Sequence, residues 1–187
     1  MGSEMCIRDR AKIIWREACS MIKKSPALNK KLDLRVSVIR SRFNEGTFEP
    51  LGSDSDKLDG LNVHGALIDE LHALKDKNLY DVLIDGMTAR EQPLCIITTT
   101  AGTVRDNIYD LKYDECERII NGYEDPAGYK DETILPIVYE LDKREEWTDP
   151  ACWAKANPGL GSIKNTQTLA QKVYQLSLIH ISEPTRP

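Results

Sequence analysis

The stretch VHGALIDELHAL, Val63 to Leu74, decides how the chain folds. Its apolar run stops at two adjacent carboxylates, Asp69 and Glu70. Ionised carboxylates are costly to bury without a partner. The pattern therefore reads as a buried strand that delivers two acids to a cleft. Neighbouring residues on a strand point to opposite faces, so both acids reach one site only if the chain leaves the strand there. His64 and His72 flank the acids but lack the HExxH spacing that sets two imidazoles on one helical face. Both read as surface or supporting residues, with His72 placed to touch a neighbouring strand.

Outward from this strand, the pattern alternates. Upstream, Ala11 to Lys24 has the period of an amphipathic helix, with Ile14, Ala18, Met21 and Ile22 on one face, and Ser25-Pro26 ends it. Leu34 to Ile39 looks like a strand, and Asn44-Glu45-Gly46 turns the chain into Thr47 to Leu51. Downstream, Lys77 to Arg90 reads as a helix with Leu79, Val82, Leu83 and Met87 inward. Pro93 to Thr99 is a second apolar strand. Arg105 to Asn121 is a helix with Ile108, Leu111 and Ile119 on one side, stopped at Gly122. Thr133 to Leu141 reads as a further strand and Trp147 to Ala156 as a short helix. Strands alternating with helices predict an α/β fold, a mostly parallel sheet with covering helices. Such sheets place ligands at the carboxyl ends of their strands.

Two strand ends carry the chemistry. An acid at the end of a buried strand can hold Mg2+ against the phosphate oxygens of ATP, and an acid beside it can orient or deprotonate the attacking water. GALIDE has that form, with Asp69 toward the metal and Glu70 as the catalytic carboxylate. IITTTAG ends the next strand with Thr98, Thr99 and Thr100, hydroxyls able to bond the γ-phosphate or the water, while Gly102 permits the turn that follows. A phosphate-cradling GxxxxGK[ST] loop is absent from the sequence.

The two termini read differently. Gly2 to Arg10, GSEMCIRDR, can be written GGC TCG GAG ATG TGT ATA AGA GAC AGG. The reverse complement, less the last base, begins CTG TCT CTT ATA CAC ATC TCC GAG CC and encodes LSLIHISEP, Leu176 to Pro184. The ends are thus expected to be one DNA tag translated on opposite strands, resembling a transposon-library sequencing adapter. Segments 1–10 and 176–187 are set aside on that ground, and Cys6, Arg8 and His180 carry no functional argument. Cys19, Cys95, Cys116 and Cys152 are left, widely spaced and without a CxxC pair, so neither zinc nor a disulfide framework is indicated. A reducing cytoplasm is the simplest compartment for them. The net charge of -5 argues against a chain coated for nucleic acid, although Arg35, Arg40 and Arg42 could form a local basic face. No apolar run is long enough to span a membrane.

The runs SDSDKLDGLNVHGALIDELHAL, DGMTAREQPLCIITTTAG and ETILPIVYELDKREEWTDPACWAKANPGLG, in this order and spacing, resemble the large terminase subunit of tailed bacteriophages. AKIIWREACSMIKKSPAL resembles the helix that follows that family's nucleotide-binding region. The resemblance implies a P-loop NTPase-type fold, incomplete here because the Walker A region is missing, with segment 11–158 as a partial ATPase domain. It implies that 159–175 starts a linker toward a nuclease domain. It makes Asp69 the Walker B magnesium ligand, Glu70 the catalytic carboxylate, and Thr98 to Gly102 the motif coupling hydrolysis to DNA movement. No residue matches the arginine finger; Lys57, Arg40 and Arg42 are what the sequence offers. ATP and Mg2+ are the implied cofactors. The implied partners are double-stranded DNA, the portal protein, the small terminase subunit and further copies in a ring. The implied location is the procapsid portal in the host bacterial cytoplasm. Two alternatives compete: a DExH-type helicase or translocase fragment, and a non-enzymatic docking protein on a degenerate ATPase fold.

Overall fold

The computed structural model describes residues 7–52, 60–74, 77–101 and 107–182. The chain divides into two compact units, Met1–Glu115 and Cys116–Pro187, with the boundary inside a helix.

In the first unit, helix α1 (Ile7–Lys24) ends as expected before Ser25-Pro26. Ser25 then starts another helix, α2 (Pro26–Lys31): its hydroxyl accepts from the Leu28 N–H, and proline occupies the first turn, where no amide bond is lost. The inward face of α1 is rotated from the one expected. Cys19 and Ile22 are buried and Trp15 and Ala18 pack beside them, whereas Met21 is exposed. These side chains rest on a three-stranded antiparallel sheet of β1 (Leu32–Leu34), β2 (Ile39–Ser41) and β3 (Thr47–Phe48), through Leu32, Leu34, Ile39 and Phe48. The single strand expected over Leu34 to Ile39 is instead the turn of this hairpin. The Arg35 N–H donates to the Val38 carbonyl at 2.9 Å, and the Arg35 guanidinium folds back onto Asp33. Val36, at 96% exposure, gains nothing from burial.

The second sheet contains β4 (Gly65–Asp69) and β5 (Leu94–Thr98), paired parallel with Asp69 opposite Thr98. Ala66 and Ile68 of β4 are buried, and Cys95 and Ile97 of β5 lie on the same covered face. The cover consists of Leu71 and Leu74, then Leu79, Tyr80 and Leu83 of α3 (Lys77–Asp85), then Ile108 at the start of α4 (Ile108–Glu124). A β-strand, a crossover helix and a parallel strand require this arrangement. Helix α3 stops five residues before the expected Arg90. The Gly86 N–H takes the Val82 carbonyl, and a Cβ at Gly86 would lie 2.9 Å from the Leu61 carbonyl oxygen, so the backbone turns away where only glycine fits. Met87 is buried beyond that turn.

In the second unit, α4 runs through Gly122 to Glu124 instead of stopping there. Gly122 is a packing site: a Cβ on it would come 1.8 Å from the Tyr129 carbonyl oxygen. Ile119 is fully buried, whereas Leu111, expected inward and lying in the part of α4 that belongs to the first unit, is 56% exposed. The strand expected over Thr133 to Leu141 does not form. Its alternating, branched residues suit a strand, but strands exist only in ladders, and neither sheet pairs with it among the described residues. Leu135, Ile137 and Tyr139 are exposed. The expected Trp147–Ala156 helix splits into a 3-10 turn, Arg144–Thr148, and α5 (Trp153–Ala156). The two are pinned together by the Trp153 indole N–H donating to the Trp147 carbonyl at 2.8 Å. A final helix, α6 (Thr166–Ser182), occupies a region for which the sequence pattern suggests no element.

Candidate functional site

The carboxyl ends of β4 and β5 meet in the first unit, and their parallel register determines which side chains can touch. Because Asp69 lies opposite Thr98, the Thr98 hydroxyl donates to Asp69 Oδ1 at 2.8 Å. The ladder continues one step beyond the strands, where the Glu70 N–H donates to the Thr98 carbonyl at 2.7 Å. Glu70 then adopts φ 56 and ψ 53, the left-handed region; among the described residues no other non-glycine has a positive φ. Left-handed backbone costs an L-residue about 1–2 kcal/mol, and such strain concentrates at functional sites. It supplies the exit from the strand that the paired acids demanded, so Glu70 and Asp69 serve the same strand end. The Thr100 hydroxyl lies 3.5 Å from Glu70 Oε2.

Leu71, 1% exposed, anchors the 3-10 turn Leu71–Ala73 into the core immediately after Glu70. This fixes His72 against the end of β5. Its backbone N–H donates to Thr99 Oγ1 at 3.2 Å, and its Nδ1 lies 3.1 Å from Thr99 Oγ1 and 3.1 Å from Glu70 Oε2. The sequence pattern assigned His72 only a neighbouring-strand contact; its link to Glu70 depends on the turn and could not be read from spacing. Asn107 was not picked out from the sequence. Its Oδ1 accepts from the Tyr109 and Asp110 N–H groups, its N–H donates to the Asp110 carboxylate, and its side-chain amide reaches the His72 carbonyl at 3.5 Å. The signal was available, because Asn followed three residues later by an acid is a capping pattern.

Of the residues expected in the site, Asp69, Glu70, Thr98, Thr99 and Thr100 come together, and Gly102 and Lys57 lie outside the described residues. Arg40 and Arg42 sit on or beside β2, and among the described residues neither makes a hydrogen bond or ion pair with these side chains. Among the described residues no group of three or more His, Cys, Asp or Glu side chains forms a metal cage. One exposed carboxylate with a hydroxyl beside it is a hard-oxygen donor set. It fits Mg2+, which keeps most of its water and takes one or two protein carboxylates together with substrate phosphates. Burial pushes the Cys95 thiol of β5 above its ordinary range, with the Lys112 charge drawing it partly back, which marks a packed core thiol and not a nucleophile. No helix among the described residues is long and apolar enough to cross a membrane.

Comparison with known proteins gives a consistent result. The family pattern described as terminase large subunit, ATPase domain, matches residues 4–118. Protein YmfN of Escherichia coli strain K12 is 36% identical over 104 residues, which cover 55% of this chain and 22% of that protein. The terminase large subunit of Enterobacteria phage HK97 is 23% identical over 170 residues, covering 88% of this chain and 32% of that one. The crystal structure of the HK97 large terminase superposes with a TM-score of 0.74 at 20% identity, over 91% of this chain and 34% of that chain. The chain therefore spans about a third or less of the length of these relatives.

Proposed function

Since the chain belongs to the terminase large subunit ATPase-domain family, we propose that it provides the metal and water side of an ATPase that drives double-stranded viral DNA into a procapsid. The observation carrying this reading is the junction of β4 and β5, where Asp69 meets Thr98 and Glu70 meets Thr100. In the full-length protein Asp69 would hold Mg2+, with Thr98 keeping the Asp69 carboxylate turned toward the open side of the sheet. When bound there, the metal would supply positive charge that offsets the charge developing on the phosphates. Glu70 accepts a proton from, or orients, the attacking water. Thr98, Thr99, Thr100 and Gly102 sense the γ-phosphate and pass its loss on to the DNA-gripping parts of the motor. A nuclease domain, a portal protein, a small terminase subunit, a homo-oligomeric ring and a place at the portal in the bacterial cytoplasm belong to the same reading. Segments 1–10 and 176–187 are adapter-derived in this reading, 11–158 is ATPase domain, and 159–175 leads toward the nuclease.

The test is Glu70→Gln in the full-length protein. ATP binding should persist while hydrolysis falls by at least a hundredfold, roughly what loss of a general base costs; retained turnover would remove Glu70 from its role. The 187-residue chain itself, with no GxxxxGK[ST] in its sequence, should release no phosphate from magnesium-ATP. Should the full-length protein also fail to hydrolyse ATP, a docking role on an ATPase fold replaces the catalytic one.

A further inference from the structure

The imidazole of His72 lies between the proposed catalytic carboxylate and the end of β5, and local chemistry fixes how it bonds to both. Thr99 Oγ1 lies 3.1 Å from the Thr100 carbonyl oxygen and donates to it. A hydroxyl has one proton to donate, so toward His72 this oxygen can only accept. It already accepts the His72 backbone N–H at 3.2 Å. Glu70 Oε2, as a carboxylate oxygen, is likewise only an acceptor. Two acceptors at 3.1 Å from one ring nitrogen require that nitrogen to carry the proton. His72 Nδ1–H is therefore shared between Glu70 and Thr99, and a neutral ring leaves Nε2 bare.

We propose that His72 is a positioning residue whose Nδ1–H ties the Glu70 carboxylate to Thr99, so that the acid of β4 and the hydroxyl segment after β5 are oriented as one unit. The proposal rests on the reading of Glu70 as the carboxylate that handles the attacking water. Three features make the tie specific. The backbone of Glu70 is held left-handed, the next residue, Leu71, is locked in the core, and the His72 carbonyl is held by the Asn107 amide that caps α4. The imidazole thus has little freedom to turn elsewhere, and Glu70 is the only proposed catalytic group within its reach. Loss of the ring should weaken the chemical step, because Glu70 loses its tie, while nucleotide affinity stays close to wild type, because the His72 backbone N–H still holds Thr99 Oγ1 and His72 touches neither Asp69 nor Thr98.

The experiment uses the full-length protein and steady-state ATP hydrolysis with magnesium. Asparagine places an amide N–H close to the position of Nδ1, whereas glutamine places one near Nε2. His72→Ala and His72→Gln should lower kcat by about ten- to a hundredfold, the effect of losing one hydrogen bond to a charged group. KM for ATP should stay within about twofold, the signature of an interaction made only in the transition state. His72→Asn should recover most of the loss. If His72→Ala does not fold, the comparison of His72→Gln with His72→Asn decides alone, and equal activities overturn the proposal. An unchanged kcat in His72→Ala or His72→Gln, or a parallel loss in all folded variants, also overturns it. Glu70→Gln run alongside separates the two levels. If it abolishes turnover while the His72 variants remain fully active, this inference fails and the role of Glu70 stands. If it retains turnover, the role of Glu70 fails first.

Discussion

At the scale of single residues, the site depends on a few hydroxyl–carboxylate contacts. The Thr98–Asp69 hydrogen bond, 2.8 Å long and charge-assisted, holds Asp69 in one rotamer. Thr98→Val keeps the shape and removes the donor. In the full-length protein it should raise the magnesium concentration needed for half-maximal hydrolysis several-fold, while changing stability by no more than about 1 kcal/mol; a magnesium titration of the ATPase rate reads this directly. That Asp69 and Glu70 end a strand was legible in the sequence, because a short apolar run stops at them; an apolar run before two acids is also common by chance, so their role was not legible from that run alone. The threonines were legible as a cluster, but which threonine faces which acid was not. That pairing follows from the parallel register of Asp69 with Thr98 and from the left-handed step at Glu70, and neither leaves a mark in composition or period.

At the scale of elements, the sequence reading worked where the local pattern matched long-range burial and failed where it did not. The β4 strand and its successor β5 were found because their apolar runs are short and bounded. Thr133 to Leu141 has the same local look and forms no strand, because pairing is a property of the partner as much as of the segment. Glycine was misread in the same way. Gly122 has the local look of a helix stop, yet its missing Cβ admits the Tyr129 backbone against the side of α4. Gly122→Ala therefore sets a helix-propensity gain of about 1 kcal/mol against a severe clash. The clash should win, lowering the midpoint of thermal unfolding of the chain by several degrees.

A second test at this scale concerns Lys155 of α5, whose ammonium donates to Asp142 at 2.6 Å and to Glu146 at 3.0 Å. The hydrogen bond to Asp142, then that to Glu146, raises its pKa above the ordinary lysine range. A raised lysine pKa stabilises the fold fully below the unfolded value, about 10.4, and loses that contribution as pH rises through the folded value. The melting-temperature difference between wild type and Lys155→Met should thus be flat from neutral pH to about 10 and shrink only above that. A difference that shrinks between pH 7 and 9 would count against the cluster.

At the scale of the whole molecule, the covered face of the β4–β5 sheet contrasts with its other face. Leu67, Leu94 and Ile96 project there at 48%, 61% and 46% exposure, and among the described residues β4 and β5 pair only with each other. Parallel sheets are ordinarily buried on both faces, and exposed apolar strands with open edges are templates for association. The isolated chain should therefore self-associate as its concentration rises. Replacing Leu94 and Ile96 together with threonine should reduce that association, measured by light scattering, without altering the far-ultraviolet circular dichroism.

The left-handed backbone at Glu70 has a consequence for how this sequence tolerates drift. Glycine would sit there without the steric penalty a side chain incurs, its gain reduced by its own greater freedom when unfolded. Glu70→Gly should then melt at or slightly above the wild-type temperature, while the role proposed for Glu70 predicts loss of hydrolysis in the full-length protein. A screen that selects only for soluble, heat-resistant protein would enrich that substitution, and, on the packaging role proposed above, a screen for packaged genomes would purge it. On that reading, two kinds of selection would pull the codon at position 70 in opposite directions.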